Sequence, residues 1–158
     1  MKEFLDHFSE RTLFLGSRSP RRKELLEKLG IPFEIWLEEE VVEEFPANFT
    51  GPEAAVFLGK LKSKPYEALI SKNQIVITAD TIVCLEDQIL GKPKDESTAV
   101  DMLTRLSGHT HQVITGVNLL SNEKSYAFSA STSVTFAQLR LDEILYYVEN
   151  FSPYDKAG

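Results

Sequence analysis

The stretch Gln74 to Leu85, QIVITADTIVCL, constrains the fold more than any other part of this chain. It is rich in β-branched residues and apolar almost without alternation, the pattern of a central strand covered on both faces. Such a strand needs helices on either side, so the expected architecture is an α/β layered domain. Asp80 and Thr81 interrupt the run. A carboxylate there must be paired, bound to a cation or in reach of water, because an isolated buried charge is too costly. A cap on a turn at the strand end is the plain structural reading of Asp80; a place in a functional site is the sharper one.

The second informative stretch is Leu13 to Arg22, LFLGSRSPRR. Leu13 to Leu15 is a short apolar run, Gly16 and Ser17 break it, and Ser19 with Pro20 restarts the chain as a helix. A strand that runs into a helix N-terminus presents free backbone N–H groups and the positive end of the helix dipole, which together favour an anion. Arg18, Arg21, Arg22 and Lys23 add cations at the same place, and guanidinium groups match phosphate oxygens two at a time. The stretch reads as a phosphate site, with a capped and basically decorated surface helix as the plain alternative. Leu25, Leu26 and Leu29 predict a stripe that packs this helix on the sheet, and Gly30 is its stop.

The rest of the chain completes the layers. Phe33 to Leu37 is a predicted strand, followed by an acidic stretch with Glu38, Glu39, Glu40, Glu43 and Glu44. Most of these carboxylates must be solvated, but one can serve a metal, since Mg²⁺ takes one or two carboxylates plus phosphate oxygens. Thr50 and Glu53 have capping-box spacing, opening a helix expected from Pro52 towards Leu69 that carries Lys62. Glu86 to Gln88 reads as a hairpin turn, and Gly91-Lys92-Pro93 puts a lysine on a stiff loop. A helix from about Asp95 to Leu106, strands Gln112 to Leu120 and Tyr126 to Ala137, and a helix opened by Asp142 follow. Alternating strands and helices first and a hairpin later imply a mixed sheet. Residues 1 to 11 show no sustained period and are expected to be a loosely ordered lead-in.

Composition narrows the function. At 158 residues the chain is expected to be a single domain. A net charge of −7 disfavours a nucleic-acid partner, whereas a local cationic cluster in an acidic protein suits a small anionic ligand. No apolar run approaches the roughly 20 residues of a membrane span, and MKEFLDHFSE is too acidic for a secretory signal, so the cytoplasm is the expected compartment. Cys84, the single cysteine, reads as a buried inert thiol. His109 and His111 without a third ligand are weak metal evidence.

Several short motifs, in order, resemble one family. They are Ser17-Arg18-Ser19-Pro20-Arg21-Arg22, Ala79-Asp80-Thr81, Gly91-Lys92-Pro93, Leu106-Ser107-Gly108 with His111, Thr115-Gly116-Val117 and Asp155-Lys156-Ala157-Gly158. Together they resemble the Maf proteins, nucleoside triphosphate pyrophosphatases also called septum formation inhibitor homologues, which share the architecture of the inosine triphosphate pyrophosphatases. The resemblance implies a hydrolase acting on phosphoric anhydrides, which splits a nucleoside triphosphate into monophosphate and pyrophosphate with a divalent metal, Mg²⁺ or Mn²⁺. It implies Asp80 as proton acceptor and metal ligand. Arg21, Arg22, Lys62 and Lys92 would contact phosphates beside Ser17 and Ser19, and a glutamate of the acidic loop, Glu44 first and Glu43 second, would be the remaining metal or water partner. Pro-Arg-Arg with Asp-Thr resembles the dTTP/UTP branch, making Arg21 and Thr81 specificity residues. Family members continue with a Tyr-Gly-x-Gln segment and further strands, so the resemblance also implies a C-terminally shortened chain. An exposed sheet edge would then favour a homodimer. The competing expectation is a non-catalytic nucleotide-binding regulator of cell division.

Overall fold

In the computed structural model, which describes residues 10–154 and 156, the expected central strand is β3 (Gln74–Leu85). Its first half pairs in parallel with β1 (Thr12–Leu15), Leu15 lying opposite Ile77, and β1 pairs in parallel with a two-residue β2 (Glu34–Ile35). Its last residues turn through Glu86, at φ +54°, into antiparallel β4 (Gln88–Leu90), which occupies the same edge as β1. The other edge is taken by antiparallel β5 (Thr110–Leu120), and β5 by antiparallel β6 (Ser125–Thr135). The sheet is therefore mixed, as expected. Among the described residues, no strand lies beside this edge of β3 between Ile77, the last partner of β1, and Val83, the first partner of β4. Asp80 lies at the middle of that gap, and a gap between neighbouring strands is where α/β sheets leave room for a ligand.

The described residues form four helices around the sheet: α1 (Pro20–Leu29), α2 (Gly51–Leu61), α3 (Glu96–Leu106) and α4 (Leu141–Phe151). Side chains alternate along β3. Val76, Thr78, Asp80, Ile82 and Cys84 face α2 and the following 3-10 turn Lys64–Tyr66, where Ile82 and Cys84 pack with Ala54, Ala55 and Leu58. On the opposite face, Ile75 and Ile77 pack with Leu13 and Ile31, and Val83 and Leu85 pack with Leu90 and Leu106. Helices α3 and α4 close that end through Ala99, Leu103, Ile144 and Val148.

The approach of α2 to the sheet depends on Gly116. A Cβ at that position would lie 2.0 Å from the Ala55 carbonyl oxygen, so only glycine lets the helix backbone rest on β5. Gly116 is the register partner of Asp80. The glycine thus sets how near α2 comes to the carboxylate.

Local signals hold in several places. Thr50 donates both its backbone N–H (2.9 Å) and its hydroxyl (2.8 Å) to Glu53, and Asp95 caps α3 by accepting the Thr98 N–H at 2.8 Å. Three expectations are corrected. No residue of α1 is buried, and Leu25 and Leu29 are 61% and 55% exposed, so the helix is fixed by its capped ends and not by a packed stripe. The helix expected to reach Leu69 stops at Leu61, because Pro65 lacks the N–H that a continuing helix needs and the chain tightens into the 3-10 turn. The strand expected from Phe33 to Leu37 pairs only at Glu34 and Ile35, since the parallel edge ends with β1. Most of the predicted lead-in, residues 1–9, and Asp155, Ala157 and Gly158 of the last motif lie outside the described residues.

Candidate active site

The loop from β1 to α1 folds onto its own side chains. Ser17 Oγ accepts the Ser19 N–H and the Arg22 Nη1–H, both at 3.2 Å, while Ser19 Oγ caps the helix by accepting the Arg22 N–H at 3.5 Å. These bonds turn the Arg22 guanidinium back towards the sheet, where Nη2 lies 3.9 Å from Asp80 Oδ1. Gly16 is needed at the start of this loop, because a Cβ there would meet Tyr66 Oη at 2.8 Å and Thr78 Cγ2 at 3.0 Å.

A second cation arrives from the other side. Lys62, directly after α2, donates from Nζ to Asp80 Oδ1 at 2.6 Å and lies 2.9 Å from Glu43 Oε1. Arg22, Asp80, Lys62 and Glu43 therefore form one chain of alternating charge. Asp80 is 9% exposed, and its two cations meet the demand the sequence made of a carboxylate inside a strand. Burial pulls the Arg22 guanidinium below its ordinary value, against the upward pull of Asp80 and Glu43, and Arg21 nearby adds to the lowering. A guanidinium nevertheless stays charged at neutral pH. Two half-buried cations, Arg22 in the first turn of α1 and Lys62 just past the end of α2, make a place where an anion of high charge is stabilised.

The structure brings together Ser17, Ser19, Arg22, Lys62 and Asp80, and Arg21 stands exposed in the same helical turn as Arg22. It selects Glu43, not Glu44, as the partner of Lys62: the Glu44 side chain is exposed and forms no ion pair among the described residues. Lys92 is exposed on its loop and forms none either. Thr81 faces away from Asp80 on the other side of the sheet, where its hydroxyl meets that of its register partner Thr115 at 3.0 Å.

No group of three or more His, Cys, Asp or Glu side chains converges as a ready-made metal site among the described residues. Glu43 and Asp80, on either side of the Lys62 ammonium, are the two carboxylates that could join phosphate oxygens around a divalent cation. Cys84 is buried and its thiol is pushed up by that burial, so it is an inert packing group. A separate cleft of about 420 Å³ between α3, α4 and the end of β6 is lined by Leu103, Phe136, Ile144 and Tyr147, with Glu143 as its charged residue, and does not suit a phosphate chain.

Sequence reasoning passed over Thr78 and Asn118. Both are fully buried on the α2 side and opposite one another in register. Their signal was a polar residue inside an apolar strand, the same signal that singled out Asp80.

The mixed sheet with its flanking helices has the inosine-triphosphate-pyrophosphatase-like fold. Two solved structures carry it: a HAM1 protein from Coxiella burnetii (TM-score 0.54, 11% identity, covering 82% of this chain and 74% of that one) and a nucleoside-triphosphatase / dITP/XTP pyrophosphatase from Mycobacterium abscessus (TM-score 0.51, 14% identity, 81% and 75%). At such identities the likeness is one of fold. Within that class the chain belongs to the Maf-like protein family, whose model matches residues 12–158. A dTTP/UTP pyrophosphatase of Porphyromonas gingivalis is 44% identical over 156 residues, 98% of this chain and 78% of that protein. One of Bacteroides fragilis is 44% identical over 146 residues, 92% and 76%.

Proposed function

We propose that this chain is a nucleoside triphosphate pyrophosphatase, which hydrolyses dTTP and UTP to the nucleoside monophosphate and pyrophosphate. The observation that carries the reading is the chain Arg22–Asp80–Lys62–Glu43 at the N-terminus of α1. Kinship with proteins named dTTP/UTP pyrophosphatase supports the substrate class.

Splitting a phosphoric anhydride needs neutralised phosphate charge, a water in line with the leaving group and a base beside it. Arg22, Lys62 and the positive end of the α1 dipole supply the neutralisation, with Lys92 reaching the outer phosphates. Both cations meet Asp80 at Oδ1, so Oδ2 is the oxygen assigned to the water proton. The water oxygen bonds to phosphorus as the bridging bond between the α and β phosphates breaks, and pyrophosphate leaves. Asp80 and Glu43 would hold a divalent cation, Mg²⁺ or Mn²⁺, whose chemistry is to offset phosphate charge and polarise the oxygens under attack. Arg21 and Thr81 are assigned to base selection.

No helix among the described residues is long and apolar enough to cross a membrane, and we place the enzyme in the cytoplasm, in nucleotide-pool maintenance. The β6 edge carries no charge over its 11 residues, which supports antiparallel pairing with a second copy; light scattering across a concentration series tests that. The activity is tested by pyrophosphate release from dTTP, UTP and a purine triphosphate with Mg²⁺ or Mn²⁺. Release that prefers the pyrimidine nucleotides and is lost in Asp80→Asn upholds the proposal. Nucleotide binding without release overturns it in favour of a non-catalytic regulator.

A further inference from the structure

The polar residues Thr78 and Asn118 hold the last turn of α2 from two adjacent strands. Thr78 Oγ1 donates to the Gly59 carbonyl at 2.7 Å. Asn118 Nδ2 donates at 2.8 Å to Ser63 Oγ, which itself donates at 2.7 Å to the Lys60 carbonyl. Asn118 is locked in turn by Ser125, whose hydroxyl donates to Oδ1 at 2.6 Å. Thr78 and Asn118 are register partners at 0% exposure, and Ser63 is at 2%.

Packing alone does not call for these side chains. On the side away from Asp80 their same-face neighbours, Val76 on β3 and Leu120 on β5, are apolar and buried, and Asn is among the residues least suited to a strand. What the pair accomplishes is placement. The Gly59 carbonyl belongs to the helix end whose acceptors lack intrahelical donors, the Lys60 carbonyl also takes the Ser63 N–H at 3.0 Å, and Lys62 leaves the helix between them and Ser63. Thr78 is two residues before Asp80, so it projects on the same face of β3. The residues that carry the ammonium and the carboxylate are thus both referenced to one buried pair.

We propose that Thr78 and Asn118 are positioning residues: a buried polar clamp that sets Lys62 against Asp80, giving their 2.6 Å contact. The proposal rests on the phosphate-site reading for its consequence in turnover. Thr78→Val keeps the shape and deletes the hydroxyl, Thr78→Ser keeps the hydroxyl and deletes the methyl, and Asn118→Leu releases Ser63 while leaving Thr78 bonded.

Three measurements are made on each folded variant: kcat and KM for pyrophosphate release from dTTP with Mg²⁺, the melting temperature, and the NMR signal of the Lys62 ammonium in ¹⁵N-lysine-labelled protein. Thr78→Val and Asn118→Leu are expected to lower kcat about 10- to 100-fold with a smaller change in KM, because a small misplacement of a reacting group acts on the chemical step. Both should shift or broaden the Lys62 signal. Thr78→Ser is expected to melt lower yet keep most of the turnover and an unaltered Lys62 signal. Wild-type kcat in folded Thr78→Val and Asn118→Leu, or an equal loss in Thr78→Ser and Thr78→Val, overturns the clamp. Should the wild-type chain release no pyrophosphate, the function reading fails by itself. The Lys62 signal then still decides the clamp, which is overturned if Thr78→Val leaves it unmoved.

Discussion

On the α2 side of the sheet, Thr78 and Asn118 are 0% exposed and Asp80 is 9% exposed, and each has a hydrogen-bond partner. On the other side, next to Asp80 in the chain, Thr81 is exposed, Phe128 is 42% exposed, and α1 contributes no buried residue. Among the described residues, the buried clusters on this second face lie at its ends, around Leu13 with Ile31 and under α3 with α4. One face is therefore built to hold charges at fixed distances, and the other leaves hydroxyls and rings accessible. A reacting group profits from the first kind of surroundings, because catalysis is lost over small displacements.

The largest test of this contrast is Asp80→Asn. It should reduce turnover by 10²- to 10⁴-fold, roughly the contribution of a positioned base. Circular dichroism should show the fold unchanged. Turnover near that of the unaltered chain would remove the reacting centre from the α2 face. A finer test sets two neighbours against each other. Glu43→Gln weakens a charge-assisted contact to Lys62 and should cost about 10- to 100-fold in kcat, whereas Glu44→Gln should stay within about twofold. Equal losses would mean that the acidic loop repacks when the substrate binds.

Two stability tests sharpen the comparison further. Gly116→Ala pushes a methyl at the Ala55 carbonyl and should destabilise the fold by about 1–3 kcal/mol in urea unfolding, as overpacking does. The same change at exposed Gly91, where a Cβ meets nothing within 4 Å, should not. The smallest effect concerns His111, at the covered end of the open face, 4% exposed and edge-on to Phe136 at 4.9 Å. Burial holds this imidazole below its ordinary value of 6.5. As the pH falls, the unfolded chain takes up a proton there before the folded one does, so stability is lost below about 6.5 and unaffected above it. His111→Phe should flatten that part of the stability curve, and an unchanged slope would show that the ring is not sheltered.

Much of the site was legible from residue order. Ser19 before Pro20 marks a capped helix, an apolar run before it marks a strand, and two arginines at the junction mark an anion site. Asp80 was legible because a lone carboxylate inside twelve strand residues demands a partner, though nothing local says which one. Lys62 reads in sequence as part of the solvated edge of a helix, and only its 2.6 Å contact makes it that partner. The choice between Glu43 and Glu44 was equally out of reach, since neighbouring residues in an irregular loop carry no period from which direction can be read.

The sequence by itself determined the short-range features: where helices begin, which runs are strands, that the sheet is mixed, and which family the motifs resemble. These depend on caps, turns and alternation within a few residues. Tertiary structure alone decided which residues meet. Asp80 and Lys62 are 18 positions apart, Thr78 and Asn118 are joined through the register of β3 and β5, and Leu25 and Leu29 on α1 stayed exposed although their spacing is that of a packed helix. Such pairings are set by which strand lies beside which and how closely Gly116 lets α2 approach, and that long-range geometry leaves no local pattern to read.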